Sequence, residues 1–169
     1  MRQQATPDRS RPPLYSPEQR RRRDASVWTV VQGFLAPLQF LIFLVSLGLV
    51  LRFLASGEGE AAASLSIVVK TLVLYVIMVT GAIWEKVVFD RWLFAPAFYW
   101  EDVFSMLVLA LHTAYLVALA TGWLAGREQM LLALAADAAD IVTAAQFVLK
   151  LRAARLDERR GYSTLAVAE

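Results

Sequence analysis

The sequence contains no cysteine, which excludes disulfides, zinc–thiolate knuckles and thiol catalysis. Its single histidine leaves little room for a haem with two axial histidines or for a histidine-rich metal centre. It carries no glycine-rich phosphate loop, no nucleophile elbow and no Glu-x-x-His motif. Charge is scarce as well. Asp, Glu, Lys and Arg make up 19% of the 169 residues, against 58% that are hydrophobic, and a mean hydropathy of +0.50 exceeds what a water-soluble domain carries. The net charge of +2 and the pI near 9.1 do not point to nucleic acid, because the basic residues gather at the two ends, beside apolar runs.

What the chain does have is four long apolar runs, over residues 27–51, 61–83, 103–123 and 130–151. At about 1.5 Å per residue, each is long enough to cross a hydrocarbon layer about 30 Å thick. The expected fold is therefore an all-α integral membrane protein, a bundle of four transmembrane helices. Pro37 falls inside the first run, where a lost backbone hydrogen bond and a ring clash favour a kink. Gly126-Arg127-Glu128 reads as the turn before the fourth run. Seven basic residues lie in the N-terminal arm (Arg2, Arg9, Arg11 and Arg20 to Arg23). Lys86 and Arg91 follow the second run, and Lys150, Arg152, Arg155, Arg159 and Arg160 close the chain. Only Arg52 and Arg127 fall on the other side, a ratio of fourteen to two, which by the positive-inside rule makes both termini cytoplasmic. The first run starts after 26 residues and is too long for a signal-peptide core. The organisation expected is a basic cytoplasmic arm over 1–26, a membrane domain over 27–151, and a helical extension and tail over 152–169, frayed after Gly161. Ser16-Pro17-Glu18-Gln19 has the pattern of a capping box, which starts a short interfacial helix in the arm.

A charged side chain at the bilayer centre costs about 2.5–3.5 kcal/mol on insertion scales, so each one needs a partner, a cavity or a task. Gln32 and Gln39 are two helical turns apart and share a face. Lys70 and Glu85 fall within about 60° of each other on the second helix. Glu101, Ser105, His112 and Tyr115 lie within about 40° of one line on the third, with Asp102 on the adjoining face. Asp137 and Asp140 are one turn apart on the fourth. Depth then sorts these groups into two layers: Gln39, Lys70, His112, Asp137 and Asp140 at the midplane, and Gln32, Glu85, Glu101 and Asp102 near the cytoplasmic surface. A purely architectural reading competes for each. Lys70 with Asp137 or Asp140 can be an ion pair that orders helices, His112 a helix-to-helix hydrogen bond, and the three surface-layer acids solvated helix ends.

The setting of those acids argues for more. They bracket Trp84, Phe89, Trp92, Phe94, Pro96, Phe98, Tyr99 and Trp100, an aromatic density far above the 11% of the chain as a whole. Interfacial belts enrich Trp and Tyr, yet two phenylalanines around Ala95-Pro96-Ala97 also suit a flat, apolar, aromatic ligand. A carboxyl in low dielectric beside such a wall keeps a proton more readily than one in water, and so serves as a general acid.

The run Trp84-Glu85-Lys86-Val87-Val88-Phe89, then Arg91-Trp92-Leu93-Phe94-Ala95-Pro96-Ala97-Phe98, then Trp100-Glu101-Asp102 leading into Leu109-Ala110-Leu111-His112-Thr113-Ala114-Tyr115 resembles the 3-vinyl (2-vinyl in older naming) bacteriochlorophyllide hydratase family of bacteriochlorophyll biosynthesis. The likeness extends from Gln32 and Pro37 to Gln146-Phe147 and Lys150-Leu151-Arg152, covering residues 14–155. Within that stretch, Asp137 and Asp140 are not part of the matching pattern. The resemblance implies an integral-membrane hydratase that adds water across the 3-vinyl group of chlorophyllide a, or of a related bacteriochlorin, to give a 3-(1-hydroxyethyl) product. It implies no cofactor, the magnesium being part of the substrate. One acid and one base suffice: two of Glu85, Glu101 and Asp102, with Glu85 as proton donor and Asp102 or Glu101 as the base that orients water. His112 is then an axial ligand to the substrate's magnesium or a hydrogen-bond partner of a keto group, with Tyr115 and Gln39 also on the substrate. Trp84, Phe94, Phe98 and Trp100 form the walls, and Lys86 or Arg91 meets a propionate. The expected surroundings are the bacterial inner (intracytoplasmic) membrane; small residues such as Gly33, Gly48 and Gly81 allow close packing within one chain or with a second copy, and contact with other pigment-biosynthesis enzymes suits so insoluble a substrate.

A non-catalytic tetrapyrrole carrier or assembly protein would use the same aromatic segment but has no use for three acids beside it. A proton-relay transporter built on Lys70, Asp137 and Asp140 would show an inverted repeat or a pair of broken helices, and the sequence has neither.

Overall fold

The computed structural model describes residues 14–124 and 126–166, with side chains beyond Lys150 described only for Arg152 and Arg155. Arg2, Arg9 and Arg11 of the basic arm and the last three residues of the tail lie outside the described residues. The described residues form five helices: α1 Pro17–Ala25, α2 Val27–Ser56, α3 Glu60–Phe89, α4 Tyr99–Thr121 and α5 Gly126–Ala166. There is no strand among the described residues.

α1 begins as its sequence dictates. The Ser16 hydroxyl accepts from the Gln19 amide at 3.2 Å, and the Gln19 side chain accepts from the Ser16 amide at 2.9 Å. Two amides at the helix start, those of Ser16 and Gln19, are thereby satisfied. Ser16→Ala is expected to cost about 1 kcal/mol of local helix stability. Faster amide exchange at Gln19 would register that loss, and exchange at the wild-type rate would show that the cap contributes nothing.

The four long helices are each long and apolar enough to cross a membrane. They exceed the apolar runs: α2 carries on to Ser56 and α3 to Phe89, because their ends remain good helix-forming sequence after the hydropathy has dropped. α2 continues through Pro37, and α5 starts at Gly126, so the expected turn residues form its first turn. α5 also runs through Gly161 to Ala166, where the sequence suggested fraying. One interior glycine costs roughly 1 kcal/mol relative to alanine, which the flanking helix formers absorb. Gly57, at φ +74°, takes the left-handed conformation that ends α2 and donates to the Phe53 carbonyl at 2.7 Å, a geometry glycine reaches without steric cost.

α2 packs along α3 and α4 along α5, and these two antiparallel pairs dock through α2 with α5 and α3 with α4. The interior is layered. An apolar cluster of Val50, Phe53, Ala63, Ile67, Tyr115, Met130 and Ala133 draws on all four long helices near the 57–59 turn. A second cluster, Tyr15, Val88 and Phe98 with Trp84 and Phe89 around it, fills the opposite end. Outside, large apolar side chains such as Phe34, Leu41, Val45, Val79 and Val148 are exposed, while Lys70, Glu85, Asp102, His112 and Asp137 are inside. A polar interior behind an apolar exterior is what a hydrocarbon surrounding demands.

The start of the described chain meets the 90–98 loop, with the Tyr15 ring 6.4 Å from Phe98. Tyr15 stacks on Phe89 at 5.7 Å. The Trp84 indole donates to the Thr29 hydroxyl at 3.0 Å, which donates to the Arg23 carbonyl at 2.6 Å, tying α1 to the end of α3.

Candidate active site

The loop between α3 and α4 builds the site. Asp90 and Phe94 have positive φ, 62° and 58°, and for a bulky residue such as Phe94 that costs of order 1–2 kcal/mol. The turn aims two consecutive amides inward. Phe94 N donates to Asp102 Oδ2 at 2.8 Å, and Ala95 N donates to Glu85 Oε2 at 3.2 Å. Both carboxyls are buried, and consecutive amides of the loop hold them. Two buried carboxyls held on consecutive amides can supply a proton donor and an acceptor at one place.

Glu101, the third candidate acid, is separated from this pair by its own partner. Its Oε2 accepts from Lys150 Nζ at 2.6 Å, and the same ammonium donates to the Ala97 carbonyl and sits 4.5 Å over the Phe98 ring. Lys150 thus pins the loop and the start of α4 to α5. The sequence reading missed it because it lies 49 residues from Glu101 and looked like one more flanking cation. Lys150→Met is expected to destabilise the protein by about 1–3 kcal/mol, since Glu101 and the Ala97 carbonyl lose their donor. Thermal unfolding in detergent reads this, and an unchanged midpoint would mean that water takes over the amine's role.

The aromatic residues divide into two groups. Trp84 and Phe98 turn inward and meet edge to face at 5.6 Å, with Tyr15, Phe89 and Phe147 around them. Phe94, 39% exposed, and Trp100, 67% exposed, turn outward and are linked through Tyr99, whose ring lies 5.8 Å from Phe94 and 5.5 Å from Trp100. Tyr99 was not among the expected site residues, although its place between them was visible. Lys86 is committed to Asp90, bonding its Oδ1 at 2.7 Å and its carbonyl at 3.2 Å, and that ammonium holds the Asp90 carboxyl below the usual aspartate range. Arg91 is exposed on the loop. Gln32, expected at this level, bonds α3 instead, through Thr80 Oγ1 at 2.7 Å and the Ile77 carbonyl at 3.3 Å.

The remaining candidates lie deeper. Lys70, with no exposure, donates to Asp137 Oδ1 and, at 3.2 Å, to Asp140 Oδ2. His112, also wholly enclosed, directs Nδ1 to the Val108 carbonyl at 2.8 Å and Nε2 towards Asp140 Oδ2 at 3.5 Å. The structure therefore groups His112 with Lys70, Asp137 and Asp140, about 15 Å of helix rise from Asp102. The ligand atoms of His112, Asp137 and Asp140 lie within 4.8 Å of one another, but the Lys70 ammonium already supplies the cation between the two carboxylates. Tyr115 belongs to the apolar cluster beyond. Gln39 is half-buried, and its Oε1 has no partner among the described residues.

A protein-family model described as 2-vinyl bacteriochlorophyllide hydratase matches residues 15–153. A protein of that name from Cereibacter sphaeroides is 67% identical over 144 residues, which covers 85% of this chain and 89% of the relative. Its namesake from Rhodobacter capsulatus is 65% identical over 147 residues, covering 87% and 85%. No solved structure matches the chain.

Proposed function

The chain belongs to the 2-vinyl bacteriochlorophyllide hydratase family, and from that membership we infer an enzyme of bacteriochlorophyll biosynthesis that adds water across a vinyl group of a bacteriochlorophyllide. For the finer reading we propose chlorophyllide a as substrate, a 3-(1-hydroxyethyl) product and no cofactor. The observation that carries the mechanism is the Glu85–Asp102 pair under the Phe94 and Ala95 amides.

In this mechanism Glu85 protonates the terminal vinyl carbon. The positive charge that forms on the inner carbon is delocalised into the macrocycle. Water adds there as Asp102 takes its proton, which then passes from Asp102 to the neighbouring Glu85 and resets the pair. Acid and base alternate, so the pair is ready for the next substrate. Glu101 then serves as the anchor of Lys150. The macrocycle lies against the outward aromatic face of Phe94, Tyr99 and Trp100, with its vinyl group reaching past Phe94 and its propionate at Arg91. Trp84 and Phe98 pack behind the acids from within. His112, enclosed by the ion cluster, serves the bundle and not the substrate's magnesium.

In the membrane, the end bearing the 90–98 loop and both termini faces the cytoplasm, as the distribution of basic residues favours, in the bacterial inner membrane. Absence of cysteine suits the chain to single-cysteine accessibility labelling, in which reagent reaching position 56 or 124 from the cytoplasm would reverse this orientation.

The test of function is to incubate the solubilised full chain with chlorophyllide a and no cofactor, following absorption and mass. Gain of one water is expected. Tight binding with the pigment mass unchanged would replace the hydratase by a carrier.

A further inference from the structure

The partners of α4 and α5 define a seam. Glu101 meets Lys150 at one end, and His112 meets Asp140 at the other. Eleven residues on α4 and ten on α5 separate these contacts, about 15–16 Å on either helix, so the two run in antiparallel register between them. That register sets Gln146 opposite buried Ser105, and Thr143 opposite Val108.

Along the seam, buried polar atoms lack partners. Among the described residues these include Gln146 Oε1 and Thr143 Oγ1; at the inner end His112 Nε2 has only the 3.5 Å contact with Asp140, and just past it Asp137 Oδ2 has no hydrogen bond. His112 and Asp137 are 0% and 1% exposed, so neither reaches bulk solvent. A threonine inside a helix ordinarily bonds a carbonyl one turn back, as Thr71, Thr113 and Thr121 all do, and Thr143 does not. Leaving such groups dry costs about 1–3 kcal/mol each, and buried water is the usual remedy where several polar atoms converge. Beyond His112 the apolar cluster of Tyr115, Met130 and Ala133 closes the seam, and at its other end stand Glu101 and, beside it on α4, Asp102.

We propose that the α4–α5 seam holds a file of water that supplies the attacking water to the acid pair. The proposal rests on the hydratase reading. A flat macrocycle across the outward aromatic face covers the acids from outside, so the nucleophile has to arrive from the protein side. The chemistry balances: the oxygen of one seam water bonds the inner vinyl carbon, one of its protons passes to the base, and the acid's proton is on the terminal carbon. Thr143 and Gln146 are positioning residues that hold the water.

The test uses the full-length protein and the variants Thr143→Val, Gln146→Leu and both together. Hydroxyl radicals generated by X-rays from bound water mark adjacent side chains, and mass spectrometry locates the marks. Wild type is expected to be marked at Val108, His112 and Gln146. The double variant should lose the marks at Val108 and His112, and its kcat should fall roughly tenfold or more with KM for chlorophyllide a unchanged. An unmarked wild-type seam, or full turnover by the double variant, overturns the proposal. A rise in KM with kcat intact also overturns it, since these residues would then act on pigment binding. A marked seam in a protein that leaves the pigment mass unchanged overturns instead the hydratase reading, and the water's catalytic role with it.

Discussion

Glu85→Gln is expected to lower the hydration rate by a factor of roughly 10² to 10⁴, the usual contribution of a positioned general acid, while the protein still inserts and still binds pigment. Gln preserves the shape of the side chain and can still accept from the Ala95 amide, which reaches Glu85 Oε2 at 3.2 Å. It cannot deliver a proton to carbon. The loop should therefore stay folded, and the loss should appear in kcat and not in the pigment's binding spectrum. Asp102→Asn is the companion variant: it keeps an acceptor for the Phe94 amide but removes the base. If Glu85→Gln turns over at the wild-type rate, Glu85 leaves the mechanism. If Asp102→Asn alone is inactive, the roles of the pair need reassigning.

Lys70→Met should have the largest effect on stability. The ammonium has no exposure and pairs with Asp137 and Asp140, and it also lies 5.6 Å over the Phe43 ring. Removing one partner of a buried ion pair typically costs about 3–5 kcal/mol, because the remaining charges stay buried and uncompensated. Here two carboxylates would be stranded in the middle of an apolar bundle. The variant should accumulate poorly in membranes and unfold at markedly lower temperature in detergent. Replacing the whole ion set, with Lys70→Met, Asp137→Asn and Asp140→Asn combined, should recover most of the loss, since neutral replacement of a buried pair is often harmless. A Lys70→Met single variant as stable as wild type would show that the carboxylates are wet or protonated, and that the cluster does not hold α3 to α5.

The hydratase family was legible in the sequence because its signal is a continuous stretch, Trp84 to Tyr115, of unusual aromatic and acidic content. The inner faces were legible for a similar reason. Glu101, Ser105, His112 and Tyr115 were expected on one line of α4, and all four are buried. Lys70 was expected beside Asp137 or Asp140, and bonds both. Less visible was the division of labour among three acids. Glu85, Glu101 and Asp102 were equivalent as letters, and depth placed them in one layer. In the fold, Lys150 takes Glu101, and the loop amides draw Glu85 and Asp102 together.

The sequence by itself determined that the chain forms four long apolar helices and which polar residues of α4 face inward, because hydropathy and the 3.6-residue period are properties of each segment alone. Only the tertiary structure decided which inward groups become partners: His112 with Asp140 and not with Glu85, Glu101 or Asp102, Glu101 with Lys150, and Glu85 and Asp102 with consecutive loop amides. Those choices depend on how each helix is rotated against its neighbours and on a loop bent through positive φ at Phe94. Neither is encoded by any one segment, since both arise from the packing of all four helices at once.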